Sequence, residues 1–144
     1  MDTLPRRRHL AHTEIAGGTS HVTWRLQRDR AVLSPEERDV VLNVLGRASE
    51  FGCVWFAAVV MDDHVHALFT PGARMNSTQF IHAWKSASSH LIVKQFHRTA
   101  PIWQAEYYQR WISSPALIPI CADYIRANPQ RKWPGITEYR WVLP

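Results

Sequence analysis

The run "CVWFAAVVMDDHVHALFT", residues 53–70, predicts the centre of the fold. Its first half, "CVWFAAVVM" (53–61), is a continuous apolar run typical of a buried central strand. Asp62 and Asp63 then suit a tight turn. The second half, "HVHALFT" (64–70), predicts the antiparallel partner of a β-hairpin. The stretch therefore indicates an antiparallel sheet in which one strand carries two histidines.

The segments before this hairpin predict a strand and then a helix. "SHVTWRL" (20–26) alternates and is rich in β-forming residues, which indicates a strand. The helix starts in "SPEERDVVLNVLGRASE" (34–50). Ser34 is a natural N-cap, Pro35 suits the first helical position, and Glu37 completes a capping box.

The segments after the hairpin predict two more helices and two more strands. A long helix spans 78–96, and "EYYQRWI" (106–112) indicates a strand. A helix within 113–127 begins near Ile118 and ends by Asn128, because Pro129 disfavours helical geometry in the residue before it. "EYRWVL" (138–143) indicates a short last strand. The order of elements matches a split βαβ pattern, so we expect an α+β fold with helices packed mainly on one face.

Composition favours one cytoplasmic domain with a mild preference for nucleic acid. The chain has 144 residues, a net charge of +5 and a pI near 9.7. No apolar run reaches the length of a membrane span. Two cysteines, Cys53 and Cys121, fit a reduced cytosol. We expect a single domain over residues 1–144, with residues 1–16 as a mobile basic arm, and no contact with a membrane.

The His64/His66 pair is a candidate metal site. Eight histidines in 144 residues give about 0.4 such pairs by chance, so the motif alone is weak. On a strand, however, residues i and i+2 face the same way, which sets two imidazoles side by side. The other interpretation is a pair of hydrogen-bonded structural histidines. A metal would need a further ligand, and the candidates are Asp62, Asp63, Glu106 and Asn128.

The stretch "DYIRANP" (123–129) offers a candidate nucleophile. Tyr124 and Asn128 are four residues apart, so both can lie on one face of a helix. A tyrosine hydroxyl beside a metal can act as a nucleophile, and an amide oxygen can bind the metal. The alternative is a packing tyrosine followed by an asparagine that caps the helix.

Five segments together resemble the single-tyrosine HUH transposases of bacteria, most closely the REP-associated tyrosine transposase branch. They are "GGTSHVTWR" (17–25), "VVMDDHVHALFTP" (59–71), "FIHAWKSASS" (80–89), "IWQAEYYQRWI" (102–112) and "YIRANP" (124–129). Each match is modest, but the five occur in the family's order. The resemblance implies a ferredoxin-like or RRM-like sheet and chemistry on single-stranded DNA.

The resemblance also implies a set of site residues. His64, His66 and Asn128 would hold Mg²⁺ or Mn²⁺, and Tyr124 would attack the scissile phosphate. The products would be a 5′-phosphotyrosine link and a free 3′-hydroxyl, and a reversal of the attack would rejoin strands. The substrate would be single-stranded or hairpin DNA, bound by a monomer or a homodimer.

Basic residues near these motifs are candidate phosphate contacts. Lys85 and Arg126 lie closest in sequence to the matched motifs. The remaining candidates are Arg25, Arg28, Arg110, Arg131, Lys132 and, in the basic arm, Arg6, Arg7 and Arg8. Each could also be an ordinary solvated surface charge.

The sequence departs from the family pattern at three positions. Gln109 stands where an aspartate is common, Ser113 stands where an arginine is common, and Pro119 is unusual in the tyrosine helix. Because the two histidines, the tyrosine and the asparagine are intact, we expect a competent enzyme. The alternatives are a catalytically silent DNA-hairpin-binding protein with the same fold, and an unrelated metal hydrolase.

Overall fold

The computed structural model describes residues 14–144. The strands in this part of the chain are β1 (Ser20–Leu26), β2 (Val54–Val60), β3 (His64–Thr70), β4 (Trp103–Trp111) and β5 (Val142–Leu143). The helices are α1 (Pro35–Gly46), α2 (Ser77–Phe96), α3 (Leu117–Arg126) and α4 (Asn128–Lys132), with a 3₁₀ turn at Arg47–Phe51. None of these helices combines the length and the apolar character needed to cross a bilayer.

Local hydrogen bonds start the two long helices. Ser34 accepts a hydrogen bond from the Glu37 backbone, and the Glu37 side chain bonds back to Ser34, which confirms the predicted capping box. Asn76 and Gln79 form the same reciprocal pair before α2. Both starts are therefore encoded within four residues of sequence.

The strands form one antiparallel sheet in the order β4-β1-β3-β2-β5. Alternate residues of β1 and β3 point to one face, where α1 and α2 cover them. The apolar side chains packed there include Val22, Trp24, Val65, Phe69, Val41, Leu45, Phe80 and Trp84. This packing confirms the predicted α+β fold and the predicted hairpin of β2 and β3.

The opposite face of the sheet carries α3. Val59 and Leu68 of the sheet pack against Cys121, Ala122 and Ile125 of that helix. Because α3 has only ten residues, it covers part of this face and leaves the region near β1 and β4 open. The open part contains His66, one of the two predicted histidines.

The predicted end of the tyrosine helix by Asn128 is confirmed, but the expectation that Pro129 keeps Asn128 out of helical geometry is wrong. Helix α3 does end at Arg126, but Asn128 opens the short helix α4, with Pro129 in its first turn. Proline is tolerated there because the first turn of a helix needs no backbone donor. The same reason allows Pro119 in the first turn of α3.

Part of the predicted basic arm lies outside the described residues. Arg6, Arg7 and Arg8 fall in the segment 1–13, of which nothing is described. The carboxylate of Glu14, which follows, accepts hydrogen bonds from the backbone nitrogen (3.1 Å) and the hydroxyl (2.7 Å) of Ser77. This contact joins the start of the described chain to the N-terminus of α2.

Candidate active site

The sheet places both predicted histidines on the face that carries α3. His64 and His66 occupy alternate positions of β3, and their ring centroids lie 4.9 Å apart at an angle of 85°. Each is only 8 % exposed. On the neighbouring strand β1, Arg25 pairs with His64 and Thr23 pairs with His66. The predicted side-by-side arrangement is therefore present.

A hydrogen-bonded cluster on β1 holds the His66 ring. The Nδ1 atom of His66 lies 2.9 Å from Nε2 of His21 and 3.0 Å from Oγ1 of Thr23. When Nδ1 donates to either of these atoms, Nε2 carries the lone pair that can bind a cation. His21 and Thr23 thus hold Nδ1 of His66 and leave Nε2 as the ring nitrogen without a described partner on β1.

A carboxylate orients His64 in the same way. Nδ1 of His64 lies 2.6 Å from Oδ1 of Asp63, and Lys132 of α4 forms ion pairs with Asp62 and Asp63. The donated Nδ1 proton leaves Nε2 with the lone pair, as in many histidine metal ligands. Asp62 and Asp63 are therefore engaged by Lys132 and His64, and Asp63 does more than form the turn.

Burial keeps all three imidazoles neutral near pH 7. Burial, together with the nearby charges of His21, His64 and Arg25, lowers the pKa of His66 to about 2. Burial and the charge of Arg110 lower the pKa of His21 to about 4. Burial also lowers the pKa of His64, although Asp63 opposes that shift. Neutral imidazole is the form that binds metals.

Helix α3 brings Tyr124 to the histidines. The ring centroids of Tyr124 and His66 lie 6.3 Å apart, nearly edge to face. Tyr124 is 51 % exposed, so its hydroxyl is accessible from solvent. The guanidinium carbon of Arg131 lies 4.1 Å from the centroid of the Tyr124 ring. A positive charge is thus stacked on the predicted nucleophile.

Asn128 completes the set of predicted site residues. It lies one turn after Tyr124, and its buried Nδ2 atom has no hydrogen-bond partner among the described residues. A 180° rotation of the amide exchanges nitrogen and oxygen and would point an acceptor the same way. Within residues 14–144, His, Cys, Asp and Glu form no group of three that could hold a metal. A cation on His64 and His66 would therefore need a ligand of another type, and Asn128 stays the predicted one.

The predicted DNA contacts divide between the two faces of the sheet. Arg25 and Arg110 lie on the histidine face, and Arg110 contacts the sulfur of Cys121 at 3.9 Å. Arg126 donates to the carbonyl of Phe56 at 2.8 Å. Lys85 lies on α2, at the other face, and donates to the carbonyl of Gln104 at 2.8 Å. The structure does not bring Lys85 to the histidines.

Two of the three family departures lie away from the histidines. Gln109 is buried toward α2, where its amide nitrogen donates to the hydroxyls of Ser20 and Ser77. Pro119 sits in the first turn of α3. Ser113 alone lines the cavity beside Tyr124. Neither Gln109 nor Pro119 lines the cavity beside Tyr124.

Sequence reasoning missed the residues that support the site. His21 and Thr23 carry no motif of their own, although the alternation of β1 puts both on one face, and Arg131 was predicted only as a phosphate contact. It also missed a cavity of about 800 Å³ bordered by β1, β4 and α3. Only knowledge that β1 pairs with β3 would have shown that His21 and Thr23 lie beside His66.

Comparison with known proteins identifies the family. The sequence model of the family described as "Transposase IS200 like" matches residues 15–128. The chain therefore belongs to the IS200-like transposase family, which confirms the resemblance inferred from the sequence. No curated protein sequence matches the chain.

Two solved structures share the fold. One is a REP-associated tyrosine transposase bound to a REP hairpin, with a TM-score of 0.72 and 20% identity over 87% of this chain and 74% of that chain. The other is a candidate transposase from Deinococcus radiodurans R1, with a TM-score of 0.54 and 23% identity over 84% of this chain and 95% of that chain. At these identities the likeness shows a common fold.

Proposed function

We propose that this protein is a metal-dependent transposase that cleaves and rejoins single-stranded DNA at hairpin sites through a 5′-phosphotyrosine intermediate. The observation that carries the proposal is the approach of Tyr124 to His66, with ring centroids 6.3 Å apart, on a face where His64 and His66 are neutral and adjacent. Membership of a transposase family supports the same chemistry.

His64, His66 and Asn128 would hold Mg²⁺ or Mn²⁺. When bound, the ion supplies positive charge that polarises the scissile phosphate and stabilises its oxygens. Asp63 orients His64, and His21 with Thr23 orients His66, so both Nε2 atoms are available before the ion arrives. The donor set of two imidazoles and one amide oxygen suits a cation that keeps sites open for substrate.

Tyr124 would perform the covalent step. Its phenolic oxygen forms a bond to phosphorus, and the bond from phosphorus to the 3′-oxygen breaks. Because one phosphoester bond forms as another breaks, their number does not change. The phenol loses one proton and the departing 3′-oxygen gains one. A 3′-hydroxyl of another strand can then reverse the attack and join DNA without a nucleotide cofactor.

The partner would be a DNA hairpin with an unpaired flank. A transposase of the same fold is bound to a REP hairpin, and this chain has a net charge of +5. Arg25 and Arg110 lie on the face of the site and would contact phosphates there. Lys85 and Arg126 remain predicted contacts farther along the surface.

A covalent adduct tests the proposal directly. The protein is mixed with hairpin oligonucleotides and Mn²⁺, and denaturing gels are inspected for a protein–DNA complex. The native protein should form the adduct, Tyr124→Phe should not, and the control Tyr108→Phe, which alters an exposed tyrosine of β4, should. An adduct that persists in Tyr124→Phe would refute the nucleophile. Hairpin binding without any adduct would identify a silent DNA-binding protein instead.

A further inference from the structure

An apolar stripe of α3 is exposed beside Tyr124. Leu117 and Ile120 are 42 % and 65 % exposed, and Tyr124 is 51 % exposed. Their spacing of three and four residues puts them on one face of the helix. Large apolar side chains exposed in a contiguous row commonly mark a binding surface.

The stripe forms one wall of the cavity of about 800 Å³, and His21 and His66 also line it. The opposite wall comes from Trp111 and Ile112, which end β4 and follow it, and Arg110 also lines the space. None of the described residues that line it is acidic. A volume of this size accommodates a flat organic group. The wall chemistry is apolar, with one guanidinium and no negative charge.

We propose that this cavity binds one unpaired nucleobase of the substrate strand, from the nucleotide that adjoins the scissile phosphate. The inference rests on the proposed function, because attack by Tyr124 requires the phosphate at the mouth of the cavity. The base next to that phosphate then lies within reach of Leu117 and Ile120. A base in a duplex is stacked and paired, so only an unpaired or flipped base can enter.

The chemistry of the walls favours a base over a second protein chain. A base presents two apolar faces to Leu117, Ile120 and Trp111, and its polar edge can accept from Arg110. The absence of acidic side chains among the described lining residues spares the flanking phosphates from repulsion. A second copy seated on the stripe would cover Tyr124 and block the DNA.

The test combines abasic substitutions in the DNA with alanine substitutions in the wall of the cavity. A hairpin oligonucleotide with single-stranded flanks of about ten nucleotides is selected from a randomised pool by its binding to the protein in EDTA, which prevents cleavage. Each flank position is replaced in turn by an abasic residue. Dissociation constants are measured by fluorescence anisotropy for the native protein, Ile120→Ala, Leu117→Ala and the control Val54→Ala, which alters an exposed apolar residue of β2.

One flank position should stand out. Its abasic form should bind the native protein and Val54→Ala about tenfold more weakly. In Ile120→Ala and Leu117→Ala, the same abasic substitution should weaken binding much less than tenfold, because the side chain that holds the base is already missing. Equal abasic effects in all four proteins would overturn the base site. A native mass that falls from dimer to monomer in Ile120→Ala would also overturn it, in favour of a second copy.

The outcomes separate this inference from the proposed function. If an adduct forms on Tyr124 but the abasic effect is the same in the native protein and the variants, the proposed enzyme activity is supported and the base site is refuted. If the abasic effect depends on Ile120 and Leu117 but no adduct forms, the base site is supported and the proposed covalent chemistry is refuted. If the selection yields no bound oligonucleotide, both are refuted.

Discussion

The two faces of the sheet differ in how completely helices cover them. On one face, Trp84 of α2 stacks among Trp24, Trp55, Phe69 and Phe80, with ring centroids 4.8–6.1 Å apart. On the other face, the short helix α3 leaves the histidines and Tyr124 beside an open cavity.

Under the proposed function, the face covered by α1 and α2 stabilises the fold, and the face of α3 carries the chemistry. Aromatic packing stabilises the fold where nothing needs to enter. The second face keeps buried neutral histidines, which are held by hydrogen bonds, and an exposed tyrosine. We expect these side chains to contribute less to stability. Substitutions on the two faces should therefore have opposite consequences.

Tyr124→Phe should have the largest effect on chemistry and almost none on folding. It removes the only atom proposed to attack phosphorus, so adduct formation should be lost completely. Because Tyr124 is half exposed, the free energy of unfolding in urea should change by less than about 0.5 kcal/mol. A large loss of stability would mean that Tyr124 is a packing residue, which would weaken the contrast between the faces.

Trp84→Ala should show the reverse pattern. The side chain is buried among four aromatic rings, and its removal should lower the free energy of unfolding by about 3–5 kcal/mol. The fraction that remains folded at low temperature should still form the adduct. Ile120→Ala, on the other face, should cost less than about 0.5 kcal/mol and serves as the control. Equal losses in urea denaturation would contradict the division of roles.

The ion pair of Glu37 and Arg98 should make the packed side sensitive to acid. Burial raises the pKa of Glu37, but hydrogen bonds from Arg98 and Ser34 outweigh it, so the pKa lies below its usual value of 4.5. The pair therefore contributes stability above that value and loses it as the pH falls through the native pKa. Glu37→Gln should cost about 1.5–3 kcal/mol near pH 7.

The measurement is urea unfolding of the native protein and Glu37→Gln near pH 7 and near pH 3. The gap between them should shrink at the lower pH, because the carboxylate of the unfolded chain is then protonated and folding has to release that proton. Asp39→Asn, which breaks the solvent-exposed pair with Arg140, should cost less than about 1 kcal/mol. A constant gap at both pH values would show that charge is not what Glu37 contributes.

His21→Ala should have the smallest effect, and the effect should be a loss of affinity for the metal ion. The change removes one partner of His66 Nδ1 and leaves Thr23 in place. Affinity for Mn²⁺, measured by calorimetry or by paramagnetic resonance, should fall about 10–100-fold. His82→Ala, an exposed histidine of α2, should bind Mn²⁺ as the native protein does. An unchanged affinity in His21→Ala would assign His21 to packing alone.

Most of the fold could be predicted because its signals are local. The capping boxes at Ser34 and the alternation of β1 each act within a few residues. Asp62 and Asp63 joined the two strands as expected. One expectation failed at Asn128, which precedes a proline yet is helical because a new helix begins there.

The candidate site could be predicted only in part. The family resemblance indicated His64, His66, Tyr124 and Asn128, and the structure brings Tyr124 beside His66. The supporting contacts escaped prediction because their partners are remote in sequence. Nε2 of His21 meets Nδ1 of His66 across 45 residues.

The sequence by itself determined the elements, their order and the family, since caps, turns and strand alternation depend on neighbouring residues. The tertiary structure alone decided which face α3 covers and which ring nitrogens of the histidines are held. It also decided that Leu117 and Ile120 border a cavity rather than a core. These features depend on the packing of segments far apart in the chain, and no local preference of the residues encodes that packing.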